Sequence, residues 1–155
     1  MKKLLIILAA AIAFSCSDKQ DQQQPQNSVD NQTVSIQQKQ SRSETNAIEK
    51  IQKFYSNFVF GEQEATDSII AQYCTKALAK NLQDAYNNEF SDGGGYAVWK
   101  FRSSAQDGED IREIEKIESL GEGKYLVHYN DMGNKGVHTI TTVIQDGKVF
   151  FDILE

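Results

Sequence analysis

The segment from Ser17 to about Glu44 carries almost no apolar side chains. It contains nine Gln and the only proline of the chain, Pro25, and its apolar residues are Val29, Val34 and Ile36. Such a segment cannot bury enough surface to offset the entropy of ordering it, so residues 16–44 are predicted to form a disordered polar tether. Any hydrophobic core must therefore come from residues 45–155, a length that suits one domain.

The N-terminus has the anatomy of a secretory signal peptide, predicted for residues 1–15. Lys2 and Lys3 precede an apolar stretch from Leu4 to Ala13, which is too short to span a bilayer. The step Ala13-Phe14-Ser15-Cys16 resembles the bacterial lipobox, and this resemblance implies that the signal is cut before Cys16 and that Cys16 is lipidated. The mature chain would be held on a membrane by that lipid. An ordinary secreted protein is the alternative.

Charge and cysteine use agree with an envelope protein. Removal of Lys2 and Lys3 leaves 14 basic residues against 22 acidic ones. Such a chain repels nucleic acid and anionic lipid headgroups, so membrane attachment is expected through the lipid on Cys16 and no nucleic-acid partner is expected. Lipidation also leaves Cys74 without an intrachain partner. Ser17 and Asp18 after the cysteine favour the outer membrane, with the leaflet left open.

The first half of the domain has helical periodicity. Asn46 followed three residues later by Glu49 fits a capping box and predicts that a helix begins there and runs to Gly61. Asp67 or Ser68 is expected to start a second helix, and Thr75 to cap its continuation.

The second half alternates between apolar and polar residues. Strands are predicted within Ile111–Leu120, at Tyr125–Tyr129, at Val137–Ile144 and at Val149–Leu154, with Asp146-Gly147 as the clearest hairpin turn. Helices followed by an antiparallel meander predict an α+β fold, in which the helices pack on one face of a curved sheet.

Several stretches resemble a family of small bacterial lipoprotein domains of unknown function, within the nuclear-transport-factor-2-like or cystatin-like superfamily. They are KIQKFYSNF, QYCTKALAKNL, SSAQD, KYLVHYND and GKVFFDILE. The resemblance implies a cone in which the sheet curls around a cavity. Its motifs are structural, so it carries no catalytic motif to transfer, and members of the superfamily include enzymes, binding modules and scaffolds. No cofactor is expected.

Turn geometry predicts one row of polar groups on the sheet. A two-residue turn at Asp146-Gly147 would set Ile144 opposite Val149, Thr142 opposite Phe151, Ile140 opposite Ile153 and His138 opposite Glu155. In the preceding hairpin, a turn closed around Gly133-Asn134 would set Tyr129 opposite His138 and Val127 opposite Ile140. Tyr129, His138 and Glu155 would then meet at the end of an apolar face. They form either a pocket able to grip a polar ligand or a set of groups that satisfy one another at the edge of the core, the reading we favour.

Four further candidates stand apart from this row. Trp99, with Tyr96 and Phe101, is expected either to plug the cone or to line an opening to a ligand or partner, with the plug favoured. Cys74, without a neighbouring base or cation in the sequence, is read as a small buried hydrophobe. His128 is expected on the opposite face of the sheet with Leu126 and Thr139, and no metal site is expected at the acidic loop around Gly108.

The sequence favours a lipid-anchored binding or accessory domain of the cell envelope, without catalytic activity and with an envelope protein as its partner. One alternative is a small-molecule-binding protein or enzyme that uses the cone cavity, where Tyr129 and His138 would matter. Another is an immunity-type lipoprotein that neutralises a toxin. Oligomeric state is left open.

Overall fold

The computed structural model describes the backbone of residues 30–155 and the side chains from residue 38 onward. The predicted signal peptide, Cys16 and the first part of the predicted tether lie outside the described residues. Within the described part, no helix combines the length and apolar character that a membrane span requires.

Helices occupy the first half of the described chain and strands the second. Helix α1 is Asp30–Phe54 and continues into a π-helical turn at Tyr55–Val59; α2 is Asp67–Tyr73, α3 is Lys76–Glu89, and a 3₁₀ turn spans Val98–Phe101. The strands are β1 (Arg112–Gly121), β2 (Lys124–Asp131), β3 (Asn134–Gln145) and β4 (Lys148–Leu154). They form one curved antiparallel sheet in the order β1-β2-β3-β4, so the predicted α+β class is confirmed.

Helix α1 begins well before the predicted start. Asn46 and Glu49 lie in its interior rather than at its N-cap, and residues 30–44, predicted as part of a disordered tether, are helical. After Pro25 this segment has no proline or glycine, and its Gln, Lys, Arg and Glu residues are good helix formers. The capping-box pattern is therefore overridden by a helix that is already propagating.

The later helix boundaries agree with the sequence. Helix α2 begins at Asp67, and the Thr75 hydroxyl accepts a hydrogen bond from the Leu78 amide at 3.3 Å, as an N-cap of α3 should. Cys74 lies between the two helices and forms an isolated parallel bridge with Phe151 of β4. The bridge ties the helical layer to the edge of the sheet, together with a bond from the Thr75 amide to the Phe151 carbonyl.

Tight turns with positive φ close the three hairpins. They are Glu122-Gly123, Met132-Gly133 and Asp146-Gly147, each with a non-glycine residue near +50° to +58° followed by glycine. Positive φ at both central residues gives the backbone twist that two-residue hairpins prefer. Asp146-Gly147 was predicted from the sequence, whereas the middle turn lies one residue earlier than the predicted Gly133-Asn134.

This shift changes the predicted register by two residues. Val127 pairs with His138, and Tyr129 pairs with Gly136, because Asp131 and Asn134 close the hairpin. Side chains in a strand alternate between faces, so a two-residue shift leaves Tyr129 and His138 on the same face. The predicted pairing of Tyr129 with His138 and of Val127 with Ile140 is wrong, but the predicted face is correct.

A bulge at Thr141/Thr142 alters the end of the β3–β4 pair. Ile144 faces Val149 and Thr142 faces Phe151, as predicted, but beyond the bulge Ile140 pairs with Leu154 instead of Ile153. An extra residue in one strand displaces every later partner by one position and bends that strand. Glu155 consequently exchanges two backbone hydrogen bonds with Thr139, at 2.7 and 2.9 Å, and not with His138.

The core lies between the helices and one face of the sheet. Its fully buried aromatic residues are Phe54 and Tyr55 from the first helical segment, Phe101 from the 3₁₀ turn and Phe151 from β4. Phe54 meets Phe101 and Phe151 with ring centroids 4.9 and 5.4 Å apart, in edge-to-face arrangements. This aromatic centre fixes the 3₁₀ turn against the sheet and so positions Trp99 beside it.

Candidate binding site

Trp99 lies on the surface, on the 3₁₀ turn whose other side is buried. Phe101 is fully buried while Trp99 is 37% exposed, so Phe101 is the residue that fills the core. The favoured prediction of an aromatic plug therefore holds for Phe101 and is wrong for Trp99. The Ala97 amide donates to the Leu82 carbonyl at 3.0 Å, which holds the turn against α3.

Two further aromatic rings from the end of α3 meet Trp99. Tyr86 in the last turn of α3 and Phe90, the residue directly after that helix, have ring centroids 4.9 Å apart, and they lie 5.6 and 5.5 Å from Trp99. Phe90 is 46% exposed. Gly95 crosses directly over the Tyr86 ring, where an added Cβ would be 2.6 Å from Cζ, so any larger residue would displace this cluster. We call Tyr86, Phe90 and Trp99 the aromatic cluster.

The aromatic cluster borders a cleft of about 530 Å³, within the size range of ligand pockets. We call it the Trp99 cleft; its lining comprises Glu89, Phe90, Trp99, Arg102, Ser103, Ser104, Ala105, Gln106, Arg112 and Met132. It combines exposed apolar rings with two guanidinium groups and hydroxyl and amide groups. Aromatic residues and arginine are the residue types most enriched at protein interfaces.

A buried ion pair holds one wall of this cleft. Asp131, fully buried at the end of β2, receives hydrogen bonds from Arg102 Nε at 2.9 Å and Arg102 Nη2 at 2.6 Å. Ser103 Oγ donates to the same carboxylate at 2.6 Å. Burial alone would raise the pKa of Asp131, but these hydrogen bonds and the Arg102 charge outweigh it and lower the pKa. The bidentate geometry fixes the Arg102 guanidinium and the loop that follows it.

The predicted row of Tyr129, His138 and Glu155 forms only in part. The rings of Tyr129 and His138 are stacked, with centroids 5.1 Å apart and planes 16° from parallel. Glu155 pairs with Thr139 and therefore shares its face, so the Glu155 carboxylate does not join His138; His138 Nδ1 lies 3.4 Å from the Glu155 main-chain carbonyl instead. Trp99 does not join this row. It lines the Trp99 cleft, and Tyr129, His138 and Glu155 are not among the residues that line that cleft.

Cys74 is buried, as predicted, and burial raises the pKa of its thiol to about 12. The sequence did not indicate a cation beside it, but the Lys50 ammonium is close enough to lower that pKa partly. Lys50 Nζ donates to the Gln72 carbonyl at 2.6 Å and to the Val149 carbonyl, and it lies 4.7 Å from the centre of the Phe150 ring. These contacts give Lys50 a structural role between α1 and β4.

His128 lies on the outer face of the sheet, as predicted from its parity. On the neighbouring strand β1, the Glu118 carboxylate lies 3.4 Å from His128 Nε2. Leu126, on the same face of the sheet as His128, pairs with Thr139 of β3. Within residues 38–155, no three His, Cys, Asp or Glu side chains come together in a way that could hold a metal ion. The acidic residues around Gly108 are exposed.

Sequence reasoning missed Arg102, Asp131 and Phe90. Asp131 carried a usable signal, since Tyr125, Val127, Tyr129 and Asp131 share one parity on a strand whose inward side is apolar. A carboxylate at a buried position requires a charged or hydrogen-bonding partner, which points to an arginine. No comparable signal marked Phe90, because its exposure depends on where α3 ends.

Comparison with solved structures shows one clear likeness. A crystal structure of a protein of unknown function from Bacteroides thetaiotaomicron VPI-5482 aligns over 81% of this chain and 98% of its own, with a TM-score of 0.57 and 20% sequence identity. This supports a shared fold. No protein-family model and no curated protein matches the chain.

Proposed function

We propose that this protein is a lipid-anchored binding or accessory domain of the cell envelope and that it holds an envelope protein at the Trp99 cleft. The anchor would be the lipid on Cys16, as the lipobox-like step indicates. The α+β arrangement with a curved sheet is compatible with the nuclear-transport-factor-2-like cone, and we infer membership of that superfamily from the stretches quoted above.

The exposed aromatic cluster beside two arginines is the observation that supports this proposal. Phe90 at 46% and Trp99 at 37% exposure leave large apolar rings facing solvent at the border of a concave surface. Large exposed rings next to polar groups are typical of binding surfaces, where aromatic anchors and arginines supply most of the affinity. The Arg102–Asp131 pair would keep one wall rigid, so little ordering would be required on binding.

Crosslinking in intact cells followed by mass spectrometry tests the binding surface. The wild-type chain and Leu120→Ala, which truncates a 55% exposed side chain elsewhere, are expected to capture the same partner. Trp99→Ala is expected to lose it while its melting temperature stays within a few degrees, because Trp99 is partly exposed. Undiminished capture by Trp99→Ala would contradict the proposed surface.

Fractionation of Cys16→Ala tests the anchor separately. The variant is expected to leave the membrane fraction or to keep its signal peptide, because the lipid is the proposed attachment. A fully matured variant that remains in the membrane would show that the attachment has another source.

A further inference from the structure

A polar cleft lies between α1 and the end of α2. It has a volume of about 320 Å³, at the small end of the range for ligand pockets, and its lining comprises Asn46, Glu49, Lys50, Lys53, Gln72 and Tyr73. The four residues from α1 share one face of that helix, because residues three or four positions apart are neighbours on a helix surface. The adjacent face, which carries Ala47, Ile51 and Phe54, is buried in the core. We call this the Lys50 cleft; it has no lining residue in common with the Trp99 cleft.

Lys50 is the half-buried cation of this cleft. Its Nζ donates to the Gln72 carbonyl at 2.6 Å and to the Val149 carbonyl, and it lies 5.2 Å from the centre of the Tyr73 ring. Gln72 and Tyr73 both line the cleft, so the ammonium group lies at its wall. An ammonium group has three N–H donors, and the two carbonyls use two of them. The third donor is available to a bound acceptor.

The charge of Lys50 lacks a counter-ion within the protein. Among residues 38–155, no carboxylate lies within ion-pair distance of its Nζ. Burial lowers the pKa of Lys50; Cys74 acts in the opposite direction, and the charge of Lys148 lowers the pKa further. A partly buried charge without a partner costs free energy, and a bound anion would offset that cost.

The surroundings of Lys50 add positive charge. Lys53, which is exposed and has no ion-pair partner in the described part of the chain, lies one turn further along α1 and lines the same cleft. Glu49 supplies the carboxylate of the lining. With Lys148 close enough to affect the pKa of Lys50, three ammonium groups stand against one carboxylate, on a chain whose formal net charge is −6. This local excess of positive charge matches a ligand with two negative charges.

We infer that the Lys50 cleft binds a phosphate group in its dianionic form, either free phosphate or the phosphate of a monoester. The phosphate oxygens would accept hydrogen bonds from the Nζ atoms of Lys50 and Lys53, and the Asn46 carboxamide supplies a further donor at the exposed side. Lysine binds phosphate as a point charge, without the fixed geometry that arginine requires, which suits the exposed Lys53. A carboxylate carries a single negative charge and should bind more weakly.

NMR titration of the full chain with inorganic phosphate tests this site, at constant ionic strength and about pH 8, where phosphate is mainly a dianion. Saturable shifts are expected at residues 46–53 and at Gln72 and Tyr73, and acetate should bind at least ten-fold more weakly. Methyl phosphate identifies the source of the phosphate group. Tighter binding than that of inorganic phosphate would indicate a monoester as the ligand, and weaker binding would indicate free phosphate.

Two variants of exposed residues measure the contribution of charge. Lys53→Gln is expected to weaken phosphate binding about ten-fold, because it removes one charged donor. Glu49→Gln is expected to strengthen binding about three-fold, because it removes the competing negative charge. Lys124→Gln, which removes an exposed lysine from β2, is the matched control and should bind phosphate like wild type. Lys50 itself is left unchanged, since its replacement would also remove the bonds to two carbonyls.

Three results would overturn the inference. Phosphate shifts that do not saturate, or that lie outside the Lys50 cleft, would show that the cleft is not a phosphate site. Equal losses of affinity in Lys53→Gln and Lys124→Gln would mean that phosphate responds only to the overall charge of the chain. Binding of acetate as tight as that of phosphate would exclude a site selective for a dianion.

Discussion

Tyr129 stacks on His138 across the β2–β3 hairpin, although the two residues are diagonal neighbours and not directly opposite each other. The direct partner of Tyr129 is Gly136, and the Tyr129 ring covers it so closely that a Cβ at Gly136 would lie 2.3 Å from Tyr129 Oη. An aromatic ring laid over a glycine on the neighbouring strand compensates for the missing side chain there. The pair therefore has a structural explanation.

Replacement of His138 tests that explanation. His138→Ala should lower the free energy of unfolding by about 1 kcal/mol, the typical contribution of one aromatic pair. His138→Phe should be as stable as wild type or more so, because it keeps the stacking and removes Nε2, which is buried without a partner among the described residues. Thermal melts of both variants measure this. A His138→Phe variant less stable than His138→Ala would show that the imidazole nitrogens matter more than the ring.

The Arg102–Asp131 pair should make stability depend on acid pH. The pKa of Asp131 is lower in the folded chain than its ordinary value, so its contribution is present above about pH 4 and is lost as pH falls through the folded-state pKa. Asp131→Asn should cost about 2–3 kcal/mol at pH 7, since Arg102 would lose its buried partner while remaining partly exposed.

Urea unfolding of wild type and Asp131→Asn at pH 7 and pH 3 gives the measurement. The difference in free energy of unfolding between the two proteins should shrink at pH 3, below the ordinary pKa of an aspartate, because the unfolded wild-type chain then binds a proton that folding must release. Ser103→Ala, which removes one hydrogen bond to the same carboxylate, should cost about 1 kcal/mol at pH 7. A constant difference between wild type and Asp131→Asn across pH would contradict a charged Asp131.

Short-range patterns predicted most of the fold. The four strands, the Asp146-Gly147 turn and the Thr75 cap follow from side-chain alternation and turn chemistry, which act over a few residues. The position of Trp99 could not be predicted in this way, because a 3₁₀ turn of Val-Trp-Lys-Phe can bury either aromatic ring. Contacts of Phe101 with Phe54 and Phe151, which are distant in sequence, decide the outcome.

The pairing register of the strands was the second feature that the sequence could not predict. The Gly133-Asn134 and Met132-Gly133 turns differ by one residue, and glycine chemistry permits both. The bulge at Thr141/Thr142 has no local sequence mark, yet it is what separates the Glu155 carboxylate from His138. The predicted polar site of three strands thus depended on two registers. The two-residue error between β2 and β3 left Tyr129 stacked on His138, whereas the one-residue shift at the bulge removed the Glu155 carboxylate.

Cys74 should be nearly inert in the folded protein. Burial raises the pKa of its thiol to about 12 from 9.0, so the thiolate fraction at pH 8 falls about a thousand-fold. A soluble chain that starts at Ser17 contains Cys74 as its only thiol. Iodoacetamide should modify this chain slowly without denaturant and rapidly in urea, as read by mass spectrometry. Rapid modification of the folded chain would indicate that Cys74 is accessible.

The first half of α1 should contribute little to stability. Gln38 to Arg42 are exposed, and Ala47 is the first residue from the N-terminus that belongs to the core of the described part. A chain beginning at Thr45 should therefore melt within a few degrees of one beginning at Ser17, because an isolated exposed helical extension adds few tertiary contacts.

A chain beginning at Gln52 provides the comparison, since it lacks Ala47 and Ile51, both buried. Loss of Ile51 alone should cost about 2–5 kcal/mol, as for other buried large residues, so this shorter chain should be unfolded or strongly destabilised. Circular dichroism melts of the three chains decide the matter: a large loss already at Thr45 would mean that residues before it support the fold.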